Sequence, residues 1–330
     1  MSDDFQQLSM FDGLPEEERP EQTAGEEGVL GPSTPFDEAV LLYLEALELS
    51  GASHHTVKAF RSDLNLLGRW DEDERTIGEF STDTLHRFLN WMLTERDKPC
   101  SPKTYARRVT TLKNFFGWLH DQGALPKDPA APVIQQPVKS PLPDVLSDED
   151  IEKLRDAARR LRRDSEKPDA RPHMLLELLL QTGIKKSECV GLRRDHVHRE
   201  GEEPFIWVRY SNPRMRYKER KIPVSAVWIT LLDEYLEQRQ PEEGLIFDCT
   251  PRNLEYVLND TAMLAGVDPG TISFETLRWT CAYRDYRSGM DPEQLRQKLG
   301  LSRISWRETS SRLAELHRDL GGEPLPQREP

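Results

Sequence analysis

Six prolines, Pro126, Pro129, Pro132, Pro137, Pro141 and Pro143, fall within eighteen residues of one another. Each removes a backbone donor and fixes φ, so no continuous helix crosses this stretch. The sequence on both sides has helical periodicity. A chain of 330 residues broken in this way reads as two mainly helical domains, each long enough to bury its own core. The expected division is a tail over 1–35, a helical domain over 36–125, a linker over 126–145 and a second domain over 146–330.

In the first domain, Phe36, Val40, Tyr43, Leu44 and Leu47 recur at helical spacing up to Gly51. Ser53 is placed to cap a second helix with Val57, Phe60, Leu64, Leu67 and Trp70 on its apolar face. Ser81–Thr94 reads as a third helix, and Ser101 opens a fourth that stops at Gly123. In the second domain, Ser147 and Asp150 form a capping-box pattern. Met174–Leu180 is apolar almost all round and predicts a buried helix. Phe205–Tyr210 and Lys221–Val224 are short and rich in β-formers, which predicts a small hairpin or three-stranded sheet. Helices are expected again over Trp228–Gln238, Pro251–Ala265, Phe274–Ser288 and Asp291–Leu299.

Several classes are excluded. No apolar run approaches the ~18–20 residues a membrane span needs, and no secretory signal pattern opens the chain. Cys100, Cys189, Cys249 and Cys281 are too scattered for a metal pair or a disulfide framework. Free thiols in a reducing cytoplasm are the expectation. His196 and His198 lack a third ligand and read as two surface histidines. No metal and no cofactor are expected.

A net charge of −13 argues at first sight against nucleic acid. The acid is uneven, however. Met1–Phe36 carries nine acids against Arg19 alone and reads as a disordered acidic tail. Elsewhere two basic runs stand out. One holds Lys103, Arg107, Arg108 and Lys113. The other holds Arg209, Arg214, Arg216, Lys218, Arg220 and Lys221 against Glu219. Lysines are 13 of the 45 cations, so arginine, which forks onto phosphate, dominates. An acidic, Arg-rich, Lys-poor chain also suits a salt-rich, halophile-like cytoplasm.

Several stretches resemble the tyrosine recombinase (phage integrase) family. In the first domain these are SHHTVKAFRSDLNLLGRW and SPKTYARRVTTLKNFFGWLHDQGALPKDPAAPV. In the second they are LSDEDIEKL, LLLQTGIKKSECVGLRRDHV, YKERKIPV and ISFETLRWTCAYRDYRSGMDPEQLRQKLGLSRIS. The resemblance spans about Phe36–Leu313 in the family's order. It implies a helical, SAM-like core-binding domain followed by a mixed α/β catalytic domain with a small antiparallel sheet. It also implies phosphoryl transfer from DNA to a tyrosine hydroxyl, with cations on the phosphate and a proton donor for the leaving oxygen.

By that resemblance the first arginine falls on Lys185 and the second is present as Arg278. The hairpin lysine falls on Met215, the first histidine on Glu275, the later histidine or tryptophan on Leu301 and the nucleophile on Ser310. Four of these six positions are replaced non-conservatively, and no tyrosine follows Tyr286. Either basic run could be a solvated face; the resemblance places the helix of Lys103, Arg107 and Arg108 near duplex DNA, and the density of six bases over Arg209–Lys221 favours DNA contact there. The resemblance also implies that the C-terminal helix, with Leu313, Leu316 and Leu320, docks on a neighbouring protomer or an active recombinase partner.

Three functions remain open. The first is a DNA-binding protein that does not cut alone and acts as an accessory relative. The second is an active recombinase with displaced or trans-supplied groups. The third is a helical interaction scaffold without DNA binding.

Overall fold

The computed structural model describes residues 30–70, 75–134, 141–201, 203–242 and 244–322. The acidic stretch up to residue 29 lies outside them. The chain divides into two compact units, one up to residue 140 and one from Pro141.

The first unit contains α1 (Phe36–Leu49), α2 (His54–Trp70), α3 (Thr82–Thr94) and α4 (Pro102–Asp121). Serines open three of them. The Ser53, Ser81 and Ser101 hydroxyls accept from the N–H groups of Thr56, Thr84 and Thr104 at 3.1, 3.1 and 3.3 Å. Pro102 sits in the first turn of α4, where its missing donor costs nothing. The core is aromatic. Phe115 meets Tyr43 and Phe36 edge-on at 5.3 and 5.6 Å between ring centroids, a geometry favoured by the ring quadrupoles.

Ala124, Leu125, Ala130 and Val133 are buried in this same core. Thr82 Oγ1 also donates to the Pro129 carbonyl at 2.8 Å. The first prolines of the linker stretch therefore follow the surface of the first unit.

The second unit contains α5 (Asp148–Arg162), α6 (Arg171–Thr182), α7 (Lys186–Val190), α8 (Ala226–Arg239), α9 (Pro251–Ala265), α10 (Phe274–Arg287), α11 (Pro292–Lys298) and α12 (Arg303–Asp319). Ser147 caps α5 as its pattern requires, accepting from the Asp150 N–H at 3.0 Å and donating to Asp150 Oδ2 at 2.7 Å. Helix α6 is buried along Pro172–Leu180. The Trp228 indole donates to the Met174 carbonyl at 3.1 Å.

Strands β1 (Val197–His198), β2 (Phe205–Val208) and β3 (Arg220–Pro223) form an antiparallel sheet in that order. Ile206, Val208 and Ile222 face the core, while Phe205, Trp207 and Lys221 face outward. The expected strand over Phe205–Tyr210 stops at Val208, because the Tyr210 N–H leaves the ladder for Glu219 Oε1 at 3.0 Å. The link to β3 is a 3-10 helix, Pro213–Lys218, opened by Asn212.

Three expectations are corrected, and the packing of a fourth element is defined. Arg108 is not on an open basic face, whereas Arg107 keeps 40 % of its side chain exposed. Both turn onto Asp63, whose side chain is 2 % exposed, and Arg108 is itself only 11 % exposed. Arg220 is buried in an ion pair rather than displayed with its neighbours. His196 is buried, its Nδ1 accepting from the Arg193 N–H at 3.3 Å, and His198 stacks on Phe205 at 4.5 Å. Leu313 and Leu316 of α12 are buried beside Ala282 and Tyr283 of α10 in their own chain, leaving Leu320 exposed.

Candidate active site

Arg278 lies one turn into α10. Ser273 caps that helix, accepting from the Thr276 N–H at 3.0 Å. Glu275 is exposed in the first turn, where the helix dipole favours a carboxylate. The Arg278 guanidinium reaches two other segments. Nη1 donates to the Gly183 carbonyl, and Nη2 donates to the Leu299 carbonyl at 2.6 Å. Burial pulls its pKa down, although a guanidinium remains charged at any physiological pH.

Gly183 ends α6 with φ 58°, in the left-handed region. A Cβ there would also stand 3.2 Å from both Cys281 Sγ and Leu299 Cδ2. Glycine is what lets this turn approach α10. Lys185 follows two residues later at the start of α7, and its N–H donates to Glu188 Oε2 at 2.9 Å.

Glu188 organises the floor. Arg220 forks onto it, Nη1 to Oε1 at 3.1 Å and Nη2 to Oε2 at 2.9 Å. The Tyr210 hydroxyl donates to Oε1. Burial alone would raise the Glu188 carboxyl. The Arg220 hydrogen bonds and charge, with Tyr210 and the Lys185 N–H, outweigh it and bring the pKa to about 2. The Arg220 Nε donates to the Lys298 carbonyl at 2.7 Å. The two arginines thus bind the adjacent carbonyls of residues 298 and 299. Lys185 is lowered by burial first, then by the positive charges of Arg278, Lys218 and Arg220, against the pull of Glu188.

A cleft of 510 Å³ brings together Lys185, Glu275, Arg278 and Leu301, with Trp279 and Thr309 on its wall. Four of the six expected positions therefore meet. Met215 lies apart in the 3-10 segment, its sulfur 3.9 Å from Lys218 Nζ. Ser310 is on α12 beside Thr309, and its hydroxyl donates to the Arg307 carbonyl at 3.1 Å. A hydroxyl that donates to a backbone carbonyl is not activated by that contact, because activation needs a base to take its proton. Among the described residues no group of three His, Cys, Asp or Glu side chains is placed to hold a metal ion.

Of the expected DNA contacts, Lys103, Arg209, Arg214, Arg216 and Lys221 are exposed, and Lys113 and Lys218 are half-buried. Glu188, Tyr210 and Asp63 were not expected at all. Asp63 had a signal, since it interrupts the apolar stripe of Phe60, Leu64 and Leu67. Glu188 and Tyr210 had none of their own; the trace of their contact is Arg220, a charge on the strand face of Ile222.

The fold and this cleft define a member of the phage integrase family. The family's catalytic domain matches residues 144–309, and its N-terminal SAM-like domain matches residues 40–123. The chain belongs to that family. It is 27% identical over 282 residues to tyrosine recombinase XerD of Listeria innocua, covering 81% of this chain and 90% of that one. It is 27% identical over 260 residues to tyrosine recombinase XerC of Erythrobacter litoralis, covering 77% and 80%. Among solved structures, XerH site-specific recombinase bound to a palindromic difH substrate matches with TM-score 0.65 at 16% identity, covering 88% and 91%. A lambda integrase dimer bound to a core site gives 0.65 at 16%, covering 90% and 81%. These structural likenesses establish the fold. No helix among the described residues is long and apolar enough to cross a membrane.

Proposed function

We propose that this protein binds duplex DNA as a recombinase relative that does not cut by itself and acts as an accessory subunit. One observation carries the reading. The cleft keeps its cations, Lys185 and Arg278, while position 310 holds a serine whose hydroxyl is spent on a backbone carbonyl. Cations on one wall attract a phosphodiester. Cleavage also needs a nucleophile and a proton donor, and Met215, Leu301 and Ser310 supply neither. Glu275, exposed on the same cleft, would repel the phosphate further.

The relatives with named substrates support the DNA part. XerH is bound to difH and lambda integrase to a core site. Lys103, Arg209, Arg214, Arg216 and Lys221 are exposed and available as phosphate contacts. Association with a second copy or an active recombinase belongs to the same proposal, as does a cytoplasmic location.

The test has two arms. Duplexes selected from a random pool should shift in a gel, and the affinity should fall with salt. A nicked form of the selected duplex should trap no covalent adduct. Absence of any shift would remove the DNA reading. An adduct would establish an active recombinase with displaced groups instead.

A further inference from the structure

A second cleft, of 890 Å³, lies between the hairpin and α11. Trp207, Lys221 and Pro223 of the sheet form one side, Tyr217 and Lys218 of the 3-10 helix another, and Gln294 and Gln297 of α11 the third. It shares Leu301 with the Arg278 cleft, so the two are neighbours.

Its chemistry is not that of a packing defect. Tyr217 is 71 % exposed, more than any other aromatic among the described residues. Lys218 Nζ stands 5.2 Å from its ring centroid. Lys221 Nζ lies over Phe205 and Trp207 at 5.0 and 5.5 Å, and the Arg209 guanidinium lies over Trp207 at 4.9 Å. Rings that hold cations in place lower the entropy lost when those cations meet a phosphate. The carboxylate on the wall, Glu219, already accepts from the Tyr210 N–H. Arg296 and Lys298 are committed to Glu293 and Asp285 at 2.8 and 2.6 Å.

We infer that this groove takes unpaired nucleic acid, with a base stacked on Tyr217 and phosphates held by Lys218 and Lys221. An exposed ring flanked by cations in a concave slot is the arrangement that binds single strands without reading sequence. A cleft of 890 Å³ is too small to hold a duplex, which would lie across its rim. The inference rests on the DNA-binding reading above and extends it to a second form of nucleic acid.

Fluorescence anisotropy of a labelled short oligothymidylate tests it, with the selected duplex measured alongside. Tyr217→Ala should weaken oligothymidylate about tenfold, with duplex affinity changing less than about twofold, whereas Lys221→Ala removes a phosphate contact and should weaken both ligands. Tyr217→Phe keeps the stacking face and should retain wild-type binding. Unchanged oligothymidylate affinity in Tyr217→Ala, or an equal loss for both ligands in that variant, would overturn the inference. Failure of the unmodified protein to bind the duplex would instead overturn the proposed function.

Discussion

Arg220 and Glu188, 32 residues apart in sequence, meet through a forked pair of hydrogen bonds with side chains 7 % and 1 % exposed. The pair ties β3 to the start of α7, and through the Arg220 Nε it ties both to the end of α11. Lys185 and Lys218 hang from the same pair. The Lys185 N–H binds Glu188, and the Lys218 carbonyl accepts from Arg220 at 3.3 Å. The cationic wall of the cleft is therefore set by a buried acid.

Removing one partner strands the other's charge in the interior. Arg220→Ala should destabilise the second unit by about 3–5 kcal/mol. Chemical denaturation reads this directly. Glu188→Leu combined with Arg220→Met should recover much of the loss, since an apolar pair leaves no unpaired charge. A denaturation midpoint for Arg220→Ala equal to that of the wild type would mean the pair contributes nothing.

The same pair sets an acid limit. The folded Glu188 pKa is about 2 against an ordinary 4.5. A depressed carboxyl contributes stability that is complete above the unfolded value. That stability drains away as pH falls through the folded one. The denaturation midpoint should hold above about pH 5 and drop between about 4.5 and 2. Glu188→Gln should start lower and show a flatter curve over that window. A parallel curve would place the acid sensitivity elsewhere.

The helices and the apolar faces were legible because each is a local pattern. Ser53, Ser81, Ser101 and Ser147 cap where they stand, and Phe36, Tyr43 and Leu47 bury the face that their spacing marks. The cleft was half legible. Gly183, Lys185 and Arg278 come from contiguous motifs, and the fold brings them together. The fate of the basic runs was not legible. A run of cations is one-dimensional, whereas Asp63 reaches Arg107 and Arg108 across 44 and 45 residues. Arg220 pairs across 32. The sole trace of either contact was a charge sitting at an apolar position.

Asp63 offers a separate test in the first unit. Its carboxylate accepts from Arg107 Nη1, Arg108 Nε at 3.3 Å and Thr111 Oγ1 at 3.0 Å. Asp63→Ala leaves these donors facing a void and should cost about 3 kcal/mol. Thermal unfolding should show an earlier transition for the first unit with the second unchanged. If Arg108→Ala unfolds like the wild type while weakening duplex binding, Arg108 is a DNA contact after all.

Gly183→Ala tests the turn behind Arg278. Alanine at φ 58° is strained, and its Cβ would press on Cys281 and Leu299. A cost of about 1–3 kcal/mol is expected. Because the Gly183 carbonyl accepts from Arg278, duplex affinity should fall as well. Loss of stability with full affinity would show that Arg278 does not depend on that carbonyl.

Restoring a nucleophile alone should not restore cleavage. Ser310→Tyr adds a phenol on α12, next to Thr309 on the cleft wall. The leaving oxygen still needs a proton, and neither Met215 nor Leu301 can give one. Glu275 still faces the phosphate with a negative charge. On a nicked selected duplex, Ser310→Tyr should trap no adduct above the Ser310→Ala background. Adding M215K, E275H and L301H should produce one, since together they return both donors and remove the repelling carboxylate. Adduct formation by Ser310→Tyr alone would mean that Lys185, Lys218 and Arg278 already suffice for phosphoryl transfer. The missing tyrosine would then be the single lesion in this site.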